Sequence, residues 1–258
     1  TLRTLDGGRL DELGAFGAVS WSWGATQWQA GVRYSWAEQA NADAAEQTRS
    51  AWNGFAELTW QAGERLELRG SLDNGTRFPS LSELYFSGTT GAGGVIGNPE
   101  LDSEQALNAE LSARWLGRRL FLGGVLVHNT IDDYIERVEI ADDLLTWVNL
   151  TSGTIRGMEL QAVWMLDESW RIFGSGHVMR GRDENDRPLA DIPPHQLQVG
   201  TRRDKGRWDF HTRLAYRAEK DDPGSREQEI GSAWLLDVTL AYAVSSRWKV
   251  ALSGLNLL

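Results

Sequence analysis

Residues 26–36 read Thr26-Gln27-Trp28-Gln29-Ala30-Gly31-Val32-Arg33-Tyr34-Ser35-Trp36. Trp28, Ala30, Val32, Tyr34 and Trp36 take every second position, and Gln27, Gln29, Gly31, Arg33 and Ser35 fill the places between. Successive strand side chains point to opposite faces, so the stretch predicts a strand with one apolar and one polar side. The split recurs. Trp52, Ala56, Leu58 and Trp60 oppose Asn53, Glu57 and Thr59. Leu107, Ala109, Leu111, Ala113 and Trp115 oppose Asn108, Glu110, Ser112 and Arg114. Trp234, Leu236, Val238 and Leu240 oppose Asp237 and Thr239. Extended along the chain, this period predicts twelve strands, at 13–23, 26–36, 51–61, 65–74, 104–116, 119–140, 144–165, 170–180, 195–203, 207–217, 233–243 and 248–257. No stretch reads as a convincing helix, and the Ala-, Asp- and Glu-rich segment 37–50 reads as a loop.

The connections alternate in length. Short ones lie near 24–25, 62–64, 117–118, 166–169, 204–206 and 244–247. Long ones cover roughly 37–50, 75–103, 181–194 and 218–232, with a hairpin tip at 141–143. Short turns on one side and long loops on the other mark an outer-membrane barrel. A helical span needs ~20 apolar residues, and the longest apolar run, Leu120–Val127, has 8. The chain starts without the basic and apolar regions of a signal peptide.

Tryptophan is the most abundant aromatic, with 13 Trp against 5 Tyr, 7 Phe and 3 Met in 258 residues. A soluble core is filled mainly by aliphatic side chains, whereas Trp collects at lipid–water interfaces. Trp23, Trp28, Trp60, Trp115, Trp164, Trp170, Trp208 and Trp248 flank the short turns. Trp36, Trp52, Trp147 and Trp234 sit near the long-loop ends. Two such rows are expected to form the aromatic girdles of a membrane barrel.

With 36 acidic and 26 basic residues the net charge is −10, which argues against a nucleic-acid partner. The long loops together carry −12, so the rest of the chain is about +2. That acidity either solvates exposed loops or draws a cationic ligand or lipopolysaccharide through divalent cations. No cysteine is present, which removes disulfides, zinc thiolates and cysteine nucleophiles.

Residues 73–86 read Asp-Asn-Gly-Thr-Arg-Phe-Pro-Ser-Leu-Ser-Glu-Leu-Tyr-Phe, and a Gly-rich segment then leads to Gly97-Asn98-Pro99-Glu100-Leu101 and Ser103-Glu104. Farther on come Asn129-Thr130-Ile131-Asp132-Asp133-Tyr134-Ile135, Gly157-Met158-Glu159-Leu160, Pro193-Pro194-His195 and Gly254-Leu255-Asn256-Leu257-Leu258. In this order the set resembles the TonB-dependent outer-membrane receptors over nearly the whole chain. The resemblance implies an all-β fold, an antiparallel transmembrane β-barrel that is incomplete here. About 12 strands stand for roughly 22, and the plug is absent. Residues 1–258 are then the C-terminal portion of the barrel, with no separate second domain. It implies a Gram-negative outer-membrane location and capture of a scarce nutrient, with an iron–siderophore complex expected first. Expected partners are outer-membrane lipid and lipopolysaccharide, the receptor's own plug, and TonB acting through the missing N-terminal part. Cobalamin, zinc and haem stay open as substrates, although 80–97 lacks the His that haem receptors tend to carry there.

Candidate contact residues are Arg77, Glu83 and Tyr85, which either meet ligand or plug or order the long loop around Pro79 and Pro99. Asp132, Asp133, Glu136 and Glu139 either ligate a hard cation or form a solvated hairpin tip. The four histidines show no metal-ligand spacing, and no resident metal or cofactor is expected. No catalytic residue is expected: Ser80 and Ser82 lack triad partners, and Gly-rich 91–97 lacks a P-loop Lys and reads as a flexible loop. A passive porin and an outer-membrane barrel enzyme are the alternatives.

Overall fold

Alternating side chains give each strand two unlike faces, and hydrogen bonding between neighbours turns those faces into two unlike surfaces of a sheet. The computed structural model describes residue 5 and residues 7–42, 44–91, 93–224 and 227–258. The strands are β1 (Arg9–Trp23), β2 (Thr26–Asn41), β3 (Ala44–Gln61), β4 (Leu66–Arg77), β5 (Ser87–Thr90), β6 (Gly93–Ile96), β7 (Glu104–Leu116) and β8 (Leu120–Ala141). They continue as β9 (Leu144–Met165), β10 (Trp170–Asp183), β11 (Gln196–Lys205), β12 (Trp208–Arg217), β13 (Ala233–Ala243) and β14 (Lys249–Gly254). Twelve form one antiparallel up-and-down path, β1-β2-β3-β4-β7-β8-β9-β10-β11-β12-β13-β14. Among the described residues β1 and β14 do not pair, so the sheet is open.

These are the twelve strands expected, with four corrections. A one-turn helix α1 (Leu81–Tyr85) exists, because Ser80 and Glu83 form a capping box. Segment 37–50 is mostly strand: β2 runs to Asn41 and β3 starts at Ala44, with a register shift between Gln39 and Asn41. The span 75–103 holds the small β5–β6 hairpin, and Gly93–Ile96 is ordered as β6 rather than a flexible loop. It lies parallel to β9, with Gly94 opposite Leu144 and Ile96 opposite Thr146. The last strand ends at Gly254.

Cross-strand register shows how the wall leans. One row of partners runs Trp23, Thr26, Trp60, Leu68, Ala113, Gly124, Leu160, Gly176, Leu197, Tyr216, Trp234. It starts beside a short turn and ends at the long-loop end of β13. A rise of ~3.3 Å per residue and a strand spacing of ~4.8 Å convert that climb to a tilt of roughly 30°. Barrel strands lean this way to close.

The row also fixes the faces. Its side of the sheet carries Leu111, Leu126, Leu160, Leu197 and Val199, all exposed. Among the described residues nine apolar side chains are buried, Pro79 included, and all but Ala241 lie toward the long-loop end. The wall therefore has no core of its own. The other face is polar, crossed by pairs such as Arg69 with Glu57 at 2.5 Å, Asn108 with Asp73 at 2.8 Å and Arg213 with Asp237 at 2.6 Å. No helix among the described residues is long and apolar enough to cross a membrane.

Candidate functional site

Pro79 ends the extended run of β4, and Ser80 starts α1 by accepting from Glu83 N at 3.3 Å. The Glu83 carboxylate returns to Ser80 N at 2.7 Å, which aims it back toward the end of β4. Arg77 stands there, its Nη1 donating to Glu83 Oε1 and Oε2 at 3.1 and 2.9 Å. Its Nε and Nη2 donate to Glu104 Oε2 and Oε1 at 2.5 and 2.9 Å. Glu104 opens β7 directly opposite Arg77 and also accepts from Ile135 N at 2.8 Å. Hydrogen bonds to Glu104 raise the Arg77 pKa, burial opposes them, and bonds to Glu83 add to the rise. One guanidinium thus ties β4, α1, β7 and β8 together. Glu104 was not among the sequence candidates, although its Ser-Glu motif pointed at it.

Leu84, Leu101 and Ile135 form a small core above this cluster, with Tyr85 and Trp147 against it. Side chains of the neighbouring strands hold its carbonyls: Gln39 Nε2 donates to Pro79 O at 2.5 Å, Gln47 Nε2 to Pro99 O at 2.8 Å, and Arg49 Nη2 to Leu101 O at 2.7 Å. Asn98 Nδ2 donates to Trp147 O at 2.9 Å. Gly97 lies so close to α1 that a Cβ would meet the backbone of Leu84 and Tyr85 at 2.7 Å. The Tyr85 hydroxyl is buried with no hydrogen-bond partner among the described residues, and burial raises its pKa. Trp147, placed in the upper aromatic row by sequence, belongs to this core instead, with Arg137 over its ring at 5.6 Å.

A second knot joins the loops after β10 and β12. Arg182 pairs with Asp222, and Lys220 pairs with Glu227 at 2.5 Å while donating to Ile192 O at 2.8 Å. Glu227 also accepts from Gly224 N at 2.7 Å and Asp191 N at 2.9 Å. Leu189 is buried against Gly153 and Gly181. Arg182 with Asp222 and Glu227 with Asp191 join different segments, so no local sequence signature marks them, while Lys220 with Glu227 closes within one loop.

The acidic candidates of β8 are spread out. Asp132 lies opposite Ser152, and Asp133 has a positive φ of 55°, its carbonyl accepting from Asn149 Nδ2 at 2.6 Å. Glu136 points toward the second knot. Burial and the charges of Asp183, Asp191 and Glu227 raise its pKa, against a lowering by Arg187. Among the described residues no group of three His, Cys, Asp or Glu is placed to hold a metal ion.

The tryptophans other than Trp147 lie on the apolar face at two heights. Trp23, Trp60, Trp164, Trp208 and Trp248 are exposed near the short turns, and Trp28, Trp115 and Trp170 are half-buried there. Trp21, which the sequence reading passed over, stacks on Trp28 with centroids 6.0 Å apart. At the other end Trp52 packs on Tyr34 at 4.9 Å and Trp234 on Tyr216 at 4.8 Å, with Trp36 beside them.

Comparison with known proteins agrees with this architecture. The family described as TonB dependent receptor-like, beta-barrel, matches residues 2–257. An iron-regulated outer membrane virulence protein of Vibrio cholerae is 23% identical, over 77% of this chain and 34% of that protein. The chain thus spans about a third of the length of such relatives. The copper transporter OprC superposes with a TM-score of 0.87 at 19% identity, over 97% of this chain and 42% of that one. The ferric yersiniabactin uptake receptor FyuA of Yersinia pestis does so at 0.74 and 15% identity, over 97% and 41%. With an open antiparallel wall, two unlike faces and a family match across almost every residue, the chain belongs to the TonB-dependent receptor β-barrel family.

Proposed function

We propose that the chain is the C-terminal part of the barrel of an outer-membrane receptor, in a Gram-negative bacterium, that takes up a ferric siderophore. The observation that carries this reading is the wall itself: an apolar outer face bounded by two aromatic rows, a polar inner face, and built loops at one end only. Trp36 and Trp28, Trp52 and Trp60, Trp208 and Tyr216, and Trp234 and Tyr242 are each eight residues apart. Eight steps of ~3.3 Å on a tilted strand make a band close to the ~25 Å of a membrane barrel. We assign Trp23, Trp28, Trp36, Trp52, Trp60, Trp115, Trp164, Trp170, Trp208, Trp234 and Trp248 to its girdles.

Ligand meets the long-loop end and passes along the polar face, with the plug and TonB, acting through the rest of the receptor, supplying the energy. Arg77 is engaged by Glu83 and Glu104, and Glu83 by Arg77 and Ser80, so their part is to hold the loop that faces the ligand. The Tyr85 hydroxyl, without a partner among the described residues, is the group of that segment left to receive a hydrogen bond from plug or ligand. Asp132, Asp133 and Glu136 belong to the acidic rim. An iron-bearing cargo is supported by the names of relatives and neighbours, which include an iron-regulated virulence protein and a ferric yersiniabactin receptor.

The test is deletion of the full receptor's gene, growth on single ferric siderophores, and binding of each to the purified receptor. Loss of growth on one, with direct binding of the same one, is expected. Unchanged growth and no binding across all siderophores tested rejects the substrate. Uptake that persists after loss of TonB favours a passive porin instead.

A further inference from the structure

The upper aromatic row has a gap. At the short-turn end Trp164 of β9 lies beside Leu120 of β8 and Ile172 of β10. Eight residues up the same strands, where β2, β3, β12 and β13 carry an aromatic, stand His128, Arg156 and Arg180. They are again cross-strand neighbours, His128 opposite Arg156 and Arg156 opposite Arg180, and all three are exposed. Two arginines directly opposite repel each other. Arg156 Nε donates to His128 Nδ1 at 3.1 Å, which leaves its terminal nitrogens without a partner among the described residues, and among them Arg180 has none either. Arg182, two residues farther up, is by contrast paired with Asp222 and Asp186.

Below these cations the same face carries an apolar groove of about 720 Å³. Gly174 and Gly176 open it, Met158, Leu160, Leu197 and Val199 wall it, and His195 stands at its upper rim. Cations at the height of an interface, over a groove wide enough for hydrocarbon, match an acylated lipid bearing phosphate. We propose that His128, Arg156 and Arg180 bind the phosphate of a lipid A-type glycolipid, with an acyl chain lying in the groove. The proposal rests on the membrane reading above, in which the long-loop end faces the outer leaflet, where lipopolysaccharide resides.

The test uses the full receptor in mild detergent, with native mass spectrometry against diphosphoryl lipid A, dephosphorylated lipid A and phosphatidylglycerol. Wild type is expected to prefer diphosphoryl lipid A. The R156Q/R180Q double variant loses about tenfold in affinity, or ~1.4 kcal/mol, and R156K/R180K keeps most of it. Heat-dependent migration of the folded barrel shows that each variant is intact. Equal binding by wild type and R156Q/R180Q overturns the site. Equal binding of the dephosphorylated lipid removes phosphate from the proposal, and equal binding of phosphatidylglycerol removes the outer-leaflet glycolipid. A receptor that stays monomeric in plain buffer and binds no lipid sinks the membrane reading itself.

Discussion

Arg77 touches two glutamates that are each less than a tenth exposed, Glu83 at 8% and Glu104 at 9% as whole residues. Arg77→Ala leaves both without their cation, and an uncompensated buried charge is the costly kind. The side chain of Arg77 is itself 45% exposed, so water screens part of the loss. We expect a cost of about 2 kcal/mol, felt as faster protease cleavage of 78–103 with the barrel intact. Arg77→Lys restores charge but not the two-sided fork, and is expected to recover only part. Unchanged cleavage in Arg77→Ala rejects the anchoring role.

Acid and base act on the second knot in opposite senses. The Glu136 carboxyl has a raised pKa, from burial first and neighbouring acids second. Its stabilising contribution is present when protonated and is lost as pH rises through that raised value. Burial would also raise Glu227, but the bonds from Lys220 and from Gly224 and Asp191 outweigh it and the net shift is downward. Its contribution is present above the ordinary glutamate range and is lost as pH falls through the lowered value. Glu136→Gln is therefore expected to slow hydrogen exchange in 181–194 and 218–232 at pH 7, with the gain vanishing in acid. Glu227→Gln is expected to quicken exchange at pH 7. A Glu136→Gln gain that persists in acid contradicts the assignment.

Single strands show the alternation that decides their faces. Leu111 is four residues from Trp115, near the middle of the apolar band, and is 63% exposed. Ser112 is its neighbour on the polar face. Leu111→Arg is expected to cost ~2–4 kcal/mol in refolding into lipid vesicles, and Ser112→Arg little. Equal costs reject the lipid-facing assignment of that face. Eleven of the twelve path strands were legible because a period of two, repeated over ten or more residues, has no other reading, and the six-residue β14 continues it. The missed elements are short or interrupted. The β5–β6 hairpin is rich in glycine and becomes strand only by docking on the tip of β9. Helix α1 is a single turn held by its cap. Gly97 shows the cost of that docking: Gly97→Ala places a methyl against the backbone of α1. It is expected to free residues 81–97 to proteases without altering migration of the folded barrel.

At the scale of the molecule, the wall exposes Leu13, Phe16, Leu111, Leu126 and Leu252 across several strands, with two strand edges unpaired. Apolar surface and free edges on that scale drive association in water. The isolated 258-residue chain is expected to need detergent. A monomeric preparation in plain buffer with a cooperative melt contradicts this.

The sequence by itself determined the class, the twelve strands of the main path, the alternation of short and long connections, and which side chains share a face. Those properties are local and periodic, and a pleated strand converts them directly into geometry. The family signatures were legible too, as fixed strings around Pro79, Pro99 and Pro194. Only the tertiary structure decided what Arg77, Glu83, Tyr85 and Trp147 do, because their partners come from other elements: Glu104 of β7 for Arg77, and the Leu84, Leu101 and Ile135 core for Tyr85 and Trp147. The same holds for the cation row. His128, Arg156 and Arg180 are unremarked residues in three strands, and strand register alone sets them side by side.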